Sequence, residues 1–431
     1  MLVAPPAEPV RGPDQIAYTL AATWSQRHAT LSGTETIRFR NNTSSPLDRI
    51  WVRHWPNGWR PVGSSSGAAG CAKPIATLRV TGGGRLQTRT IGCTAYRITL
   101  THALASGARG SVRMTFRVHV PKGDDRFGRN GPYTNLGNAV PVLAVHDSGG
   151  WHIDPYSSTG ESFYSLSADW NVRLKMPKGT RAATTGQVLR TSRGALVIEA
   201  RNARDFAIAT GPFRVVKARV GTTSIRISAQ RSMSTGVVAD AVRRARGAVS
   251  AYGQRYGAYG APELDVVLGT FTAFGGMEYP QLVLTTPEPG PVRHEIAHQW
   301  FYSLVGDDQR HTPWLDESFA TWVEHDLSGF PDCDSPPVPV IAGVFLDSTM
   351  DVFDRHPTLY GRVVYNGGAC ALEEAADALG HTAFRAMLRS YVAAHRNSVV
   401  RSSDFIAALR AAAPPSFDVD AWARRARLRL G

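Results

Sequence analysis

The spacing of apolar residues changes near residue 230, and this change indicates the fold class. Before it, short segments with apolar residues at every second position alternate with loops rich in Gly, Ser and Pro, as in YTLAATWSQ and GSVRMTFRVHV. After it, apolar residues recur at helical spacing, as in STGVVADAVRRARGAVSAYGQRYG. The sequence therefore predicts a multidomain α+β chain, in which an antiparallel, sandwich-like β domain precedes a mainly α-helical domain.

A chain of 431 residues is longer than a domain with a single hydrophobic core usually is, so we expect more than one domain. The chain begins MLVAPPAEPVRGP, which is rich in proline and lacks the long apolar stretch of a signal peptide. We predict a Pro-rich tail over residues 1–13, the β domain over 14–215 and the mainly helical domain over 216–431. No run of about 18 apolar residues occurs, so we expect no transmembrane segment.

The basic residues are spread along the chain. The net charge is +13, from 48 Lys and Arg residues against 35 Asp and Glu residues. Proteins that bind nucleic acids usually concentrate their basic residues in a patch or stripe. We therefore expect no nucleic-acid partner, and the sequence leaves the oligomeric state open.

Four cysteines are present, Cys71, Cys93, Cys333 and Cys370, and none of them forms a C-x-x-C pair. A zinc knuckle or a thioredoxin-type redox site is therefore not expected. Among the three possible pairings we favour Cys71–Cys93 with Cys333–Cys370, and the alternative is four free thiols in a reducing compartment. The favoured pairing and the Pro-rich start predict a location outside the cytoplasm, in the cell envelope or secreted, although this chain shows no signal peptide.

Residues 291 to 301 read PVRHEIAHQWF, with two histidines four positions apart. Four residues of a helix advance about 400°, so His294 and His298 would lie on one face, one turn apart. Two imidazoles in this arrangement can bind one tetrahedral ion, and Glu295 would project beside them. The pattern is that of the H-E-x-x-H metallopeptidases, although a helix with an ordinary core histidine can show the same letters.

A catalytic zinc ion needs a third protein ligand and an open coordination position. The segment TPWLDESFATWVEH places Glu317 on a second helix, after an interval of eighteen residues from His298. Asp316 is adjacent, but it would face about 100° away on that helix. Glu324 lies two turns after Glu317 on the same face, where it would either orient a ligand histidine or remain a solvated helix acid.

These residues resemble the aminopeptidase N and leukotriene hydrolase family of gluzincin zinc metallopeptidases. The family shares H-E-x-x-H followed, after the same interval, by Glu in a segment similar to WLDESFA. GGMEYP at residues 275–280 resembles the family's G-x-M-E-N signature, and VVYNGGACAL resembles its tyrosine motif. YTLAATWSQRHATLSGTETIRFRN and ARDFAIATG resemble the start and end of the family's N-terminal β domain, so the resemblance covers nearly the whole chain.

The resemblance implies a thermolysin-like catalytic domain that binds one Zn²⁺ per chain through His294, His298 and Glu317. It implies that Glu295 is the general base and that Tyr365 donates to the oxyanion of the transition state. Tyr360 is a nearby rival for that role, but it lacks the glycine and alanine that follow the family's tyrosine.

The resemblance also implies how a peptide substrate is bound. Glu278 would pair with the free α-ammonium group and so place the first peptide bond at the zinc ion. The backbone of Gly275, Gly276 and Met277 would align the peptide, because glycines permit a close approach.

Three features depart from the family's pattern. Tyr279 replaces the signature asparagine, the A-R-x-x-F-P-C-type stretch of the β domain is not found, and the chain stops at Gly431 without a large C-terminal helical domain. We therefore expect a more open site. The main hypothesis is an aminopeptidase. Its alternatives are a zinc peptidase with endopeptidase or other hydrolase specificity, and a catalytically idle peptide-binding protein.

Overall fold

A computed structural model describes residues 12–59, 75–271, 274–329, 333 and 338–429. In the first half, the alternating segments form strands, because each buries one face and exposes the other. In chain order these strands are β1 (Asp14–Ser25), β2 (Thr30–Arg40), β3 (Leu47–Arg53), β4 (Ala76–Gly82), β5 (Gly84–Ile91), β6 (Ala95–Leu104), β7 (Arg109–His119), β8 (Phe127–Asn130), β9 (Tyr133–Leu136), β10 (Val142–Leu143), β11 (His146–Asp147), β12 (Gly150–Trp151), β13 (Ala168–Lys175), β14 (Arg181–Thr184), β15 (Gln187–Ser192), β16 (Ala195–Ala203) and β17 (Ile208–Gly211).

Two sheets of this half share one hydrophobic core. The larger has seven strands in the order β15–β16–β13–β1–β2–β7–β4, and the smaller has four in the order β10–β3–β6–β5. Leu20 and Val112 of the first sheet and Ile50 and Ile98 of the second are buried in the same cluster. The predicted strand-rich first half is confirmed.

A further four-stranded sheet, in the order β14–β17–β9–β8, connects the two halves. Ala183 and Ala209 of this sheet are buried in one cluster with Val267 and Leu284 of the second half. The backbone N–H of Thr184 also donates to Oδ2 of Asp265, at 2.8 Å.

The second half contains a five-stranded sheet in addition to its helices. Its strands are β18 (Arg214–Val220), β19 (Thr223–Ala229), β20 (Glu263–Leu268), β21 (Gly276–Met277) and β22 (Leu282–Thr285), in the order β18–β19–β20–β22–β21. The sequence indicated only β20 of this sheet. The predicted boundary after residue 215 falls inside β18, which pairs with β19 along its whole length.

The helices of the second half are α1 (Thr235–Tyr256), α2 (Pro289–Ala297), α3 (Trp314–Ser328), α4 (Met350–Arg355), α5 (Pro357–Tyr360), α6 (Gly368–Leu379), α7 (His381–Ala394), α8 (Ser402–Ala412) and α9 (Val419–Arg425). Helix α1 begins where predicted, because the side chain of Ser234 accepts a hydrogen bond from the backbone N–H of Val237.

Helix α2 is shorter than the sequence indicates. It ends at Ala297, and the chain then turns back, with the N–H of Ser303 donating to the carbonyl of His298. His298 itself keeps helical backbone angles (φ −60°, ψ −15°), so the one-turn spacing from His294 survives. A π-helix over Gly361–Gly367, between α5 and α6, was not predicted.

Cys333 and Cys370 form a disulfide, as predicted, with 5.7 Å between their Cα atoms. It ties residue 333 to α6. Cys71 lies outside the described residues, so its pairing with Cys93 stays a prediction. None of the helices in the described part of the chain is both long enough and apolar enough to span a bilayer.

Candidate metal centre and active site

His294, His298 and Glu317 converge on one point between α2 and α3. Nε2 of His294 lies 3.1 Å from Nε2 of His298 and 3.1 Å from Oε2 of Glu317. Nε2 of His298 lies 3.3 Å from the same oxygen. Ligand atoms held at 2.0–2.1 Å around a tetrahedral zinc ion are roughly 3.3 Å apart. The three predicted ligand residues therefore fit a zinc ion in both donor chemistry and spacing.

The electrostatics of this cluster favour positive charge. Burial opposes the ionisation of Glu317, but the two imidazoles outweigh it and lower the pKa of the carboxyl. Burial alone would lower the pKa of His298, yet Glu317 raises it to about 9. The three side chains are thus largely shielded from water and are arranged to bind a cation.

The second nitrogen of each imidazole faces an acceptor, as in many zinc sites. Nδ1 of His298 lies 3.1 Å from the carbonyl oxygen of Phe301, and Nδ1 of His294 lies 3.6 Å from Oε2 of Glu324. Glu324 therefore faces His294 at an ion-pair distance, and its role in orienting this ligand stays a prediction. Asp316 faces elsewhere, as expected.

Glu295 lies directly beside the three ligand residues. Its side chain is buried, and Oε2 meets no hydrogen-bond partner among the residues that the structure describes. Burial and the neighbouring Glu278 and Glu317 raise the pKa of its carboxyl to about 8, against the opposite effect of the two histidines. A carboxyl of this kind can both accept and return a proton near neutral pH.

Two tyrosines line the site, Tyr365 from the π-helix and Tyr360 from the end of α5. The ring of Tyr365 stacks against that of His294, with centroids 5.7 Å apart and planes inclined by 14°. Tyr360 contacts Tyr365 edge-on, with centroids 5.5 Å apart. Burial raises the pKa of the Tyr365 hydroxyl, and Glu317 raises it further, so this hydroxyl remains a proton donor.

These side chains line a cavity of about 510 Å³. Gly275, Gly276 and Glu278 form part of its wall together with the ligand residues. Met277 does not, since its side chain is buried in the core that joins the two halves. Only the backbone of Met277 can therefore take part in the predicted alignment of a peptide.

Comparisons with known proteins place this geometry in context. No family model matches the chain. Aminopeptidase M1-D of Oryza sativa subsp. japonica is 27% identical over 188 residues, which is 35% of this chain and 21% of that protein. Aminopeptidase M1 of Arabidopsis thaliana is 29% identical over 140 residues, 28% of this chain and 15% of that protein. The chain thus matches about a fifth of the length of its curated relatives.

Solved structures match over almost the whole chain. The M1 zinc metallopeptidase of Deinococcus radiodurans has a TM-score of 0.65 at 18% identity and covers 97% of this chain and 94% of its own. A mutant of it reaches a TM-score of 0.68, also at 18% identity, with coverage of 96% and 94%. This chain has the fold of the M1 zinc metallopeptidases. The resemblance seen in the sequence is confirmed.

Within this M1 fold, Glu278 is held by a buried amide. Nε2 of Gln309 donates to Oε1 of Glu278 at 2.7 Å and to Oδ2 of Asp316 at 2.9 Å. Tyr279 points away from the cavity, because its hydroxyl donates to Oδ1 of Asn138 at 2.8 Å. The residue that replaces the signature asparagine therefore lies in the core that joins the two halves.

The first half of the M1 fold contributes a charged pair to the cavity that the sequence did not reveal. Nη1 of Arg126 donates to Oε1 of Glu161 at 2.5 Å, and both side chains are buried. They lie in the loops GDDRFGRNGP and STGES, which carry no recognisable spacing. The sequence offered only one indication of this pair, namely a charged residue in each of two glycine-containing loops.

Proposed function

We propose that this chain is a zinc metallopeptidase that removes N-terminal residues from peptides. The observation that carries the proposal is the convergence of His294, His298 and Glu317 at tetrahedral spacing beside the buried carboxyl of Glu295. Plant relatives named aminopeptidase M1 support it, as does a Deinococcus radiodurans neighbour solved with a Tyr-Ser-Ala substrate.

Each residue of the site has its own role in the proposed reaction. His294, His298 and Glu317 hold one Zn²⁺ per chain, which when bound supplies a Lewis acid for the scissile carbonyl and acidifies water. Glu295 accepts the proton of the attacking water and passes it to the leaving amine. The hydroxyl of Tyr365 donates to the carbonyl oxygen as negative charge develops there.

Glu278 supplies the preference for a free N-terminus. Its carboxyl is 3% exposed, lines the cavity and lies near Glu295 and His298, with one oxygen of each carboxyl and one nitrogen of His298 within 4.8 Å of one another. A substrate ammonium group paired with this carboxylate places the first peptide bond next to the general base. The backbone of Gly275, Gly276 and Met277 aligns the peptide.

Zinc content and cleavage of two matched peptides test the proposal. We expect about one zinc ion at this site and hydrolysis of a peptide with a free N-terminus, but not of the same peptide acetylated. Equal cleavage of both would indicate endopeptidase specificity, and no cleavage of either by zinc-loaded protein would indicate a binding protein.

Glu295→Gln tests the general base. We expect it to retain zinc and to lose about 10²- to 10⁴-fold in kcat, as when a positioned acid–base group is removed. The control is Glu288→Gln, at the exposed residue that directly precedes α2. It should be as active as the unmodified chain. Full activity of Glu295→Gln would show that another group is the base.

The remaining expectations belong to the same proposal. Under this proposal the sandwich-like domain ends before β18 and the thermolysin-like catalytic domain begins with it, because β18 pairs with β19 along its whole length. The Cys333–Cys370 disulfide supports a location outside the reducing cytoplasm, in the cell envelope or secreted. Fractionation of cells, with the chain detected only in the cytosol, would refute that location.

A further inference from the structure

A second cluster of imidazoles and carboxylates lies where the first half of the chain meets the segment between α2 and α3. His152 and Asp154 follow β12, whereas Asp308 and His311 precede α3. Oδ2 of Asp308 lies 3.3 Å from Nδ1 of His152 and 2.8 Å from Nδ1 of His311. We propose that three of these four residues, here together called the interface cluster, bind a divalent transition-metal ion such as Zn²⁺ that is separate from the catalytic one. His152, Asp154 and His311 supply the ligand atoms, and Asp308 orients the two imidazoles.

The donor set has the chemistry of such a site. One possible ligand atom from each of His152, Asp154 and His311 lies within 4.8 Å of the others, and Oδ1 of Asp154 is 3.9 Å from Nε2 of His311. Two imidazole nitrogens with one carboxylate oxygen are ligands that Zn²⁺, Ni²⁺ and Cu²⁺ prefer, whereas Ca²⁺ and Mg²⁺ favour sites made of oxygen alone.

The backbone that carries these ligands is held in place. Nη2 of the buried Arg53 donates to the carbonyl of Asp154 at 2.6 Å, and Nη1 of Arg310 donates to the carbonyl of Pro155 at 3.0 Å. Oδ1 of Asp308 accepts from the backbone N–H groups of Arg310 and His311, which leaves Oδ2 facing the imidazoles. Such support reduces the ordering cost of binding an ion.

Charge and access are also compatible with an ion. The side chains of His152, His311 and Asp154 are 20%, 38% and 39% exposed, so an ion can reach them from solvent. Asp147 and Asp308 both face His152, and Asp154 faces His311, whereas Arg53 and Arg401 offset part of this negative charge. Three carboxylates around the two imidazoles thus favour the entry of a cation.

An ion in the interface cluster would link the two halves. Its ligands are His152 and Asp154 on one side and His311 on the other, and His311 lies on the segment that joins His298 to Glu317. Binding would thus stabilise the folded chain by an amount that increases with the concentration of free zinc, without contact with substrate.

Metal counting tests the interface cluster. Each protein is equilibrated with excess zinc at pH 8, desalted and analysed for zinc per chain. We expect two ions for the unmodified chain, one for His311→Ala, and two for the control His102→Ala, which removes an exposed histidine elsewhere. Zinc should also raise the thermal midpoint of Glu317→Gln, which impairs the catalytic site, but not that of the double variant Glu317→Gln/His311→Ala.

The outcomes separate this proposal from the proposed catalytic site. If only the catalytic site fails to bind, the unmodified chain holds one zinc ion that survives Glu317→Gln and disappears in His311→Ala. Equal zinc in His311→Ala and in the unmodified chain would overturn the interface cluster as a metal site. Asp154→Asn, which removes the most exposed ligand, repeats the test if His311→Ala does not fold.

Discussion

At the scale of single residues, Gln309 controls the position of the proposed amine anchor. Both hydrogen bonds of its Nε2 end on carboxylates, those of Glu278 and Asp316. In Gln309→Leu, Glu278 loses this donor and becomes free to turn away from the substrate ammonium group. We expect KM for a free-amine peptide to rise about tenfold with a smaller change in kcat, which corresponds to about 1.4 kcal/mol of binding energy.

The matched control for Gln309→Leu is Gln254→Leu, at an exposed glutamine on α1 whose amide donates to Oγ of Ser250 on the same helix. It should leave both kinetic constants unchanged. If Gln309→Leu lowered kcat but left zinc content and KM unchanged, this result would contradict a role of Gln309 in placing the amine.

Residues of the site differ in how far the sequence could predict them. His294, Glu295 and His298 are set by spacing within one helical turn, so a local rule finds them. Arg126 and Gln309 reach the site only through the packing of loops that are distant in sequence. No periodicity records such long-range packing, and these residues could not be predicted from one sequence.

At the scale of elements, β21 and α2 approach so closely that only glycine fits at one position. A Cβ on Gly276 would lie 2.4 Å from Cγ and Oε1 of Glu295. Gly276→Ala should therefore displace the general base and lower kcat by at least about tenfold, while zinc content is retained. Gly247→Ala is the matched control, because a Cβ on this exposed glycine of α1 would meet nothing within 4 Å. Equal kcat in the two variants would contradict the close approach.

The second half also shows which helical features a sequence pattern can predict and which it cannot. Helix α3 and helices α6 to α8 were predicted because each carries an apolar stripe that the core buries. The end of α2 at Ala297 and the π-helix over Gly361–Gly367 were not, since apolar residues continue through both segments. Hydrogen bonding, such as that between Ser318 Oγ and the carbonyl of Val364 at 2.6 Å, accompanies the altered geometry there.

At the scale of the whole molecule, the contact between the halves depends on the charge of His152. Burial opposes protonation of this imidazole, but Asp308 and Asp147 outweigh it and raise its pKa to about 9, against about 6.5 for an unfolded chain. Stability from this contact is therefore fully present below pH 6.5 and is lost as the pH rises through 9. His311 contacts the same Asp308 and acts in the same direction.

His152→Gln tests this dependence on the metal-free chain. The free energy of unfolding of the unmodified chain should fall between pH 6.5 and 9.5 by up to about 3 kcal/mol more than that of the variant. Urea unfolding at a series of pH values measures the difference, and His28→Gln, at an exposed histidine, is the control. Parallel curves for His152→Gln and the unmodified chain would show that the charge of His152 does not stabilise the contact between the halves.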